Sequence, residues 1–477
     1  MDRTSTPEAL PTATLRETIA IISQVMAPNV AKGVIRRRPN VVGVVERFGL
    51  DAKGIRQLQA LSKKYGRGPL MLNVPTKRMA VVLDPADANH VLAHTPEPFA
   101  TNEALKRSAL GHFEPKMSLV SHGEVRQTRR HLNERVLQSD CPHHLFADAF
   151  AQVVEEEAEA LVARTQTRFD ELDWPTFQHA WERIVRRVVL GDSARDDQTV
   201  TRELVRLRKA ANWGFMRPKR KRLQQRFERH LAFYYQQAEP HSLMAMLAHH
   251  TNQEANSDSA PLQQVPQWLF AFDPAGIATF RALALLCAHP EYAASALDEV
   301  NDASPPSMDR LKASVLEALR LWPTTPLILR QTTQATQWKQ GEMPANTSLL
   351  IHTPYFHRDE RYLHAAHRFL PEMWLRPDGA GRWPLVPFSA GPGVCPGRHI
   401  VLLVTSRLLA ALFRRARWAL HPPTSCPAKR RCRGYLARSM CVFGWSVIPL
   451  KVMPRRKKET TRCHTLSLRP VYVSMCW

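Results

Sequence analysis

The stretch Phe388-Ser-Ala-Gly-Pro-Gly-Val-Cys395-Pro-Gly397, followed by Arg398-His399-Ile400 and an apolar run to Leu412, constrains this chain more than any other. A cysteine set just before a helix directs its sulfur at unpaired backbone N–H groups and at the positive end of the helix dipole. Both favour thiolate over thiol. Cys395 therefore reads as an anionic, soft ligand. Pro396 suits the first helical position, where no N–H is missed, and Gly391, Gly393 and Gly397 let the backbone turn tightly and approach a flat partner. Phe388 adds an aromatic wall beside the sulfur. The competing reading is a buried structural cysteine in a glycine loop.

Three further stretches carry pattern. Pro266 fits a helix start and Pro290 a helix stop, with a mostly apolar central helix between them. Pro274 cannot donate to the carbonyl of Phe270, and Gly276 loosens the next turn, so the helix is expected to kink just before Thr279. On residues alone, a buried threonine there bonds to its own backbone. Leu311 to Pro323 reads as a helix that places Glu317 and Arg320 on one face, and Arg126 and Arg130 share a face of the helix beginning near Ser121. Two arginines so placed can both meet the carboxylates of one ligand.

Taken together and in this order, the stretches resemble the cytochrome P-450 superfamily, in its soluble bacterial type. The cysteine loop is similar to the haem-binding pattern Phe-x-x-Gly-x-(Arg/His)-x-Cys-x-Gly at Phe388, Gly391, Cys395 and Gly397, with Gly393 where the family carries a basic residue. Ala275, Gly276 and Thr279 match the dioxygen groove of its central helix, whereas Ala278 stands at the usual acid; the resemblance leaves proton delivery to water or to Asp273. Glu317-x-x-Arg320 looks like the pair that holds the haem core. Pro371-Glu372-Met373-Trp374 looks like the segment that completes it, with Met373 in place of an arginine for which Arg368 is expected to substitute. Arg126, Arg130 and Arg330 correspond to haem-propionate contacts, and Leu327 and Ile328 to the pocket over the haem.

The resemblance implies a mainly α fold with a small β region, and haem b buried between the central helix and the Cys395 loop, with an axial thiolate. It implies mono-oxygenation of an apolar small molecule by O2, with Thr279, Gly276 and Asp273 at the reacting centre. Electrons would come from NAD(P)H through a separate ferredoxin or flavodoxin-type donor and its reductase, docking on the basic surface near Cys395, Arg398 included. A haem-binding protein without turnover and a peroxide-driven haem enzyme are the alternatives.

In the rest of the chain, residues 1–69 read as an irregular N-terminal segment, residues 70–425 as the catalytic domain and 426–477 as a basic, Cys-rich tail. Residues 70–74 and 79–83 read as a strand hairpin, and 86–92 and 104–110 as short helices. Residues 145–190 read as packing helices with a turn at Trp174-Pro175, and 251–266 as a polar surface loop. The cluster Arg217-Pro-Lys219-Arg220-Lys221-Arg222 lies where the family places its substrate lid, where it suits a carboxylate-bearing substrate or an anionic surface.

The apolar content of 44% suffices for a large core, and no unbroken apolar run is long enough to span a bilayer. The first thirty residues show no signal-peptide order, so a soluble cytoplasmic protein is expected. The formal charge of +23 is unevenly spread: residues 426–477 hold twelve Lys or Arg against the one acid Glu459, and five of the eight cysteines. No Cys-x-x-Cys pair, zinc spacing or aromatic-interleaved basic module occurs, which argues against a disulfide framework and against nucleic-acid binding. A shifted reading frame or a divergent tail is expected after residue 428, its rival being a genuine basic docking tail.

Overall fold

The computed structural model describes residues 9–66, 68–167, 171–214, 216–253, 257–302, 308–376, 384–420 and 450–453. Its helices run α1 (Leu15–Ile21), α2 (Ala27–Ala31), α3 (Pro39–Arg47), α4 (Leu50–Tyr65), α5 (Pro85–Ala93), α6 (Ala104–Leu110), α7 (Gly123–Leu137), α8 (Ala147–Gln166), α9 (Trp174–Leu190), α10 (Gln198–Ala211), α11 (Lys221–Gln237), α12 (Leu243–Gln253), α13 (Val265–Ala288), α14 (Pro290–Asp302), α15 (Asp309–Leu321), α16 (Thr353–His357) and α17 (Arg398–Arg415). The strands are β1 (Pro69–Met71), β2 (Met79–Val82), β3 (Phe99–Ala100), β4 (Glu171–Leu172), β5 (Leu327–Thr332), β6 (Thr336–Trp338), β7 (Gly341–Met343), β8 (Ser348–His352), β9 (Arg417–Leu420) and β10 (Leu450–Met453). The chain is mostly helical with a small β region, as expected.

Two cores form. The larger surrounds α13, where Trp268, Phe272, Ala282 and Leu286 meet Trp181, Val315 and Leu408 from α9, α15 and α17. The smaller lies on the sheet of order β1-β2-β8-β5-β3, in which β2 and β8 are parallel and the other pairs antiparallel. In β5 the two-residue alternation buries Ile328, Arg330 and Thr332 on one face. That parity, not hydrophobicity, puts a guanidinium inside.

The expected hairpin is β1–β2, and both short helices appear as α5 and α6. The segment expected to be irregular is instead helical. Thr14 and Glu17 form a capping box at α1, and α4 buries Ile55, Leu58 and Leu61 at helical spacing. Trp174-Pro175 is not a turn but the first turn of α9, where Pro is tolerated and Asp173 accepts from Thr176 N–H at 2.9 Å. The expected surface loop at 251–266 contains the end of α12 and a buried anchor: Gln264, wholly buried, donates to the carbonyls of Lys116, Ser259 and Ala260. Although no unbroken apolar run spans it, α13 is long and apolar enough to cross a membrane; 56% of its most apolar window is buried inside the protein. In the tail, residues 450–453 form β10, paired with β4 and β9, a strand too short for its alternation to stand out. The remaining tail lies outside the described residues.

Glu317 and Arg320, both fully buried, form a bidentate pair on α15, each contact 2.7 Å. Arg320 also donates to the carbonyls of His357, Ala365, Ala366 and Arg368. Glu317 accepts from Leu370 N–H and the Trp374 indole, both at 2.9 Å. Arg368 thus contributes a carbonyl, and its exposed side chain does not replace the missing arginine; the indole fills that place. His357 accepts the Val386 N–H at 2.9 Å through Nε2, tying this node to the chain entering the cysteine loop.

Removing one partner of the pair, as in Glu317→Ala, is expected to cost about 3–5 kcal/mol in urea unfolding, and Trp374→Phe about 1 kcal/mol. Arg368→Ala should change stability by less than about 0.5 kcal/mol. Burial holds the imidazoles of His352 and His357 down to about 3, from 6.5. The unfolded chain therefore takes up these protons first, so the stability they confer is complete above about pH 6.5 and is lost as pH falls toward 3. His352→Leu should flatten the stability slope across that window by about one proton.

Candidate cofactor and oxygen site

The cysteine loop is built from its own backbone. Cys395 N–H donates to Phe388 O at 2.9 Å and Val394 N–H to Gly391 O at 2.9 Å, closing the turn ahead of α17. Gly391 has φ +62°, and a Cβ there would lie 2.2 Å from Leu92 O, so no other residue fits. From α7, Arg130 Nη1 donates to Val394 O at 2.8 Å, and just beyond that helix Ser139 donates to Pro396 O at 3.0 Å. Phe388 packs against the larger core. Burial pushes the Cys395 thiol up, while the Gly397 N–H and the charges of Arg130 and Arg398 pull it down. Burial outweighs these, so the thiol stands above its ordinary value: the helix-start groups expected from the sequence are present but do not by themselves yield the thiolate, which a bound metal cation would complete.

Above the loop, cations gather. Arg330, 3% exposed, donates to Thr95 Oγ1 at 3.0 Å and to Leu329 O at 3.0 Å; burial and then the charge of Arg126 depress it to about 10. Arg126, buried as well, reaches Thr101 Oγ1 at 3.3 Å and forms no ion pair among the described residues. Lys106, which the sequence reading missed, donates to Thr101 O at 2.7 Å and Leu329 O at 3.0 Å. Burial, then the charge of Arg330, holds it well below the usual lysine range. Arg130 alone of the four has a carboxylate in direct contact among the described residues, Glu134 at 2.6 Å; Glu103 acts on Lys106, and Glu134 and Glu97 on Arg126, only through their fields. Like charges buried this closely require an anion. The two carboxylates of haem fit that need, and a thiolate-forming Cys395 fits its iron. The absent basic residue at Gly393 also has a reason: a Cβ there would lie 2.9 Å from Arg330 Nη2, so Arg330 already fills that space.

On α13, Thr279 is wholly buried and its hydroxyl donates to Ala275 O at 2.8 Å. Gly276 is fixed from outside: a Cβ would lie 2.6 Å from the Trp181 ring, whose Nε1 donates to Phe272 O at 2.8 Å. Pro274 stays within a continuous helix. Asp273 pairs with Arg208. Six positions from Thr279, it lies about 120° away around the helix, so the structure does not bring these two expected partners together.

Two substitutions separate these roles. Arg126→Gln should weaken haem retention by about tenfold or more while leaving the haem-free protein no less stable, as followed by haem titration and thermal melting. Gly393→Arg, which restores the family's basic residue, should displace Arg330 and lower haem affinity rather than raise it.

Comparison with known proteins accords with this geometry. Residues 215–436 match the family model for cytochrome P450. Beta-amyrin 24-hydroxylase of Glycine max is 31% identical over 131 residues, 26% of this chain and 26% of that protein. Cyclooctat-9-en-7-ol 5-monooxygenase of Streptomyces melanosporofaciens is 30% identical over 177 residues, 35% of this chain and 38% of that protein. The chain thus spans well under half the length of these curated relatives. The crystal structure of a cytochrome P450, CYP102L1, superposes with a TM-score of 0.69 at 17% identity over 95% of this chain and all of that one, which shows the fold. Family model, relatives and fold agree in making residues 215–436 of this chain similar to the cytochrome P450 superfamily, a family whose cofactor is haem held by a cysteine thiolate.

Proposed function

We propose that this protein is a haem-dependent monooxygenase that inserts one oxygen atom of O2 into an apolar small molecule. The observation that carries the proposal is the buried, carboxylate-poor cluster of Arg126, Arg330 and Lys106 set against the Cys395 loop. Haem ligated by Cys395 would supply dioxygen activation. The chain supplies the rest. Arg126, Arg130 and Arg330 orient the two carboxylates, and Phe388, Gly391 and Gly397 shape the surface against which the flat ring lies. Thr279 offers its hydroxyl oxygen as an acceptor and, by releasing Ala275 O, as a donor to the oxygen side of the pocket. With Ala278 in the acid position and Asp273 held by Arg208, the proton reaches Thr279 through water.

Two electrons come from NAD(P)H through a separate ferredoxin or flavodoxin-type donor and its reductase. Exposed Arg398, three residues from Cys395, supports docking of an acidic donor at that face. The proposal places the enzyme in the cytoplasm, with α13 engaged in the core. The catalytic unit is taken as residues 70–425. The Thr279 bond to its own helix favours one second reading, a peroxide-driven enzyme that needs no proton relay.

Reduced protein under carbon monoxide should show the long-wavelength Soret band of thiolate-bound haem, and Cys395→Ser should lose it. With a generic ferredoxin system, Thr279→Ala should lower product formed per NADPH consumed. Turnover with hydrogen peroxide alone, unaffected by Thr279→Ala, would favour the second reading.

A further inference from the structure

Two histidines outside the cluster described above stand four residues apart at the end of α5. His90 and His94 are both exposed, and their ring centroids lie 4.3 Å apart. Positions i and i+4 share a helix face, the spacing at which paired imidazoles chelate one metal ion.

Each ring is held by a different means. His94 caps the helix: its backbone N–H donates to His90 O at 3.1 Å, and its Nδ1 lies 2.9 Å from the same carbonyl. A carbonyl only accepts, so Nδ1 carries the proton and the Nε2 lone pair is left for a metal. His90 stands edge-on to the rings of Phe99 and Trp338, 5.6 Å from each, and those two rings lie 5.8 Å apart. Desolvation there, then the neighbouring His94, lowers the His90 pKa, so its ring is neutral at pH 7. Metal–nitrogen bonds of about 2.0–2.1 Å place two tetrahedral ligand nitrogens about 3.3 Å apart, a separation these rings reach by small rotations. The pair also sits at the C-terminal end of α5, where the helix dipole favours a cation. No third His, Cys, Asp or Glu completes a set among the described residues, which leaves the other coordination positions to water. The turn spanned by the pair supports the cofactor loop. Leu92 O is the wall that Gly391 approaches, and Val91 O accepts at 2.9 Å from the Thr95 hydroxyl that receives Arg330.

We propose that His90 and His94 together chelate one divalent transition-metal ion of the nickel, copper or zinc class, which staples the last turn of α5 behind the Cys395 loop. The site does not depend on turnover or on the cofactor. Nickel chloride would be titrated calorimetrically into the full-length protein as purified, and melting followed with and without the metal. The second imidazole of a chelate binds intramolecularly, so His90→Gln and His94→Gln should each weaken this site about a hundredfold, each as much as the double variant. Each should also abolish the rise in melting temperature that nickel gives the unaltered protein. Magnesium, which takes oxygen ligands, should give no such rise. His249→Gln, an exposed histidine on α12, should leave both readouts unchanged. Undiminished nickel affinity in the single variants would overturn the assignment, as would a loss of one bound ion per histidine removed with affinity unchanged, the mark of two separate sites.

Discussion

The node formed by Glu317 and Arg320 is the interaction on which the remaining architecture depends. Two opposite charges wholly removed from water are tolerated only when every remaining lone pair and N–H is satisfied. Here four backbone carbonyls, one backbone N–H and an indole do so. The pair therefore fixes where residues 357–374 run relative to α15. Through His357 and Val386 it also fixes where the chain enters the turn that presents Cys395. A helix, a meander and a ligand loop are set in register by a single ion pair.

The cations above that loop follow the opposite logic. They are assembled by strand parity in β5, by helical spacing in α7 and by the short α6, and of them only Arg130 has a carboxylate in contact among the described residues. Such a pocket costs stability until its anion arrives, so the cofactor is as much a folding partner as a reagent.

Much of this was legible in the sequence where local chemistry and spacing agree. The Cys395 loop, the proline-bounded α13 and the Glu317–Arg320 spacing are short-range patterns, and each is found in its expected element. The failures are long-range. Nothing near Met373 reveals that Trp374 would satisfy Glu317, and proximity in sequence favoured Arg368, whose side chain faces solvent. Lys106 is hidden because its partners, Thr101 O and Leu329 O, are backbone groups, one of them on a distant strand. Asp273 reads as a relay by its closeness to Thr279 along the chain, but helical geometry turns it toward Arg208. The N-terminal helices were obscured because their apolar faces are short and interrupted by Arg36-Arg37-Arg38.

The contact between Gly276 and Trp181 bears on how the groove can change over evolutionary time. A glycine at this point of the central helix invites a reading in terms of oxygen access, yet here it is held small by an indole packed from the far side. Position 276 can therefore accept a larger side chain only together with a smaller one at 181. Because Trp181 also engages Phe272 O, that exchange would remove a brace just ahead of Pro274. The two positions form one unit of variation, and the shape of the groove is inherited from the packing behind it.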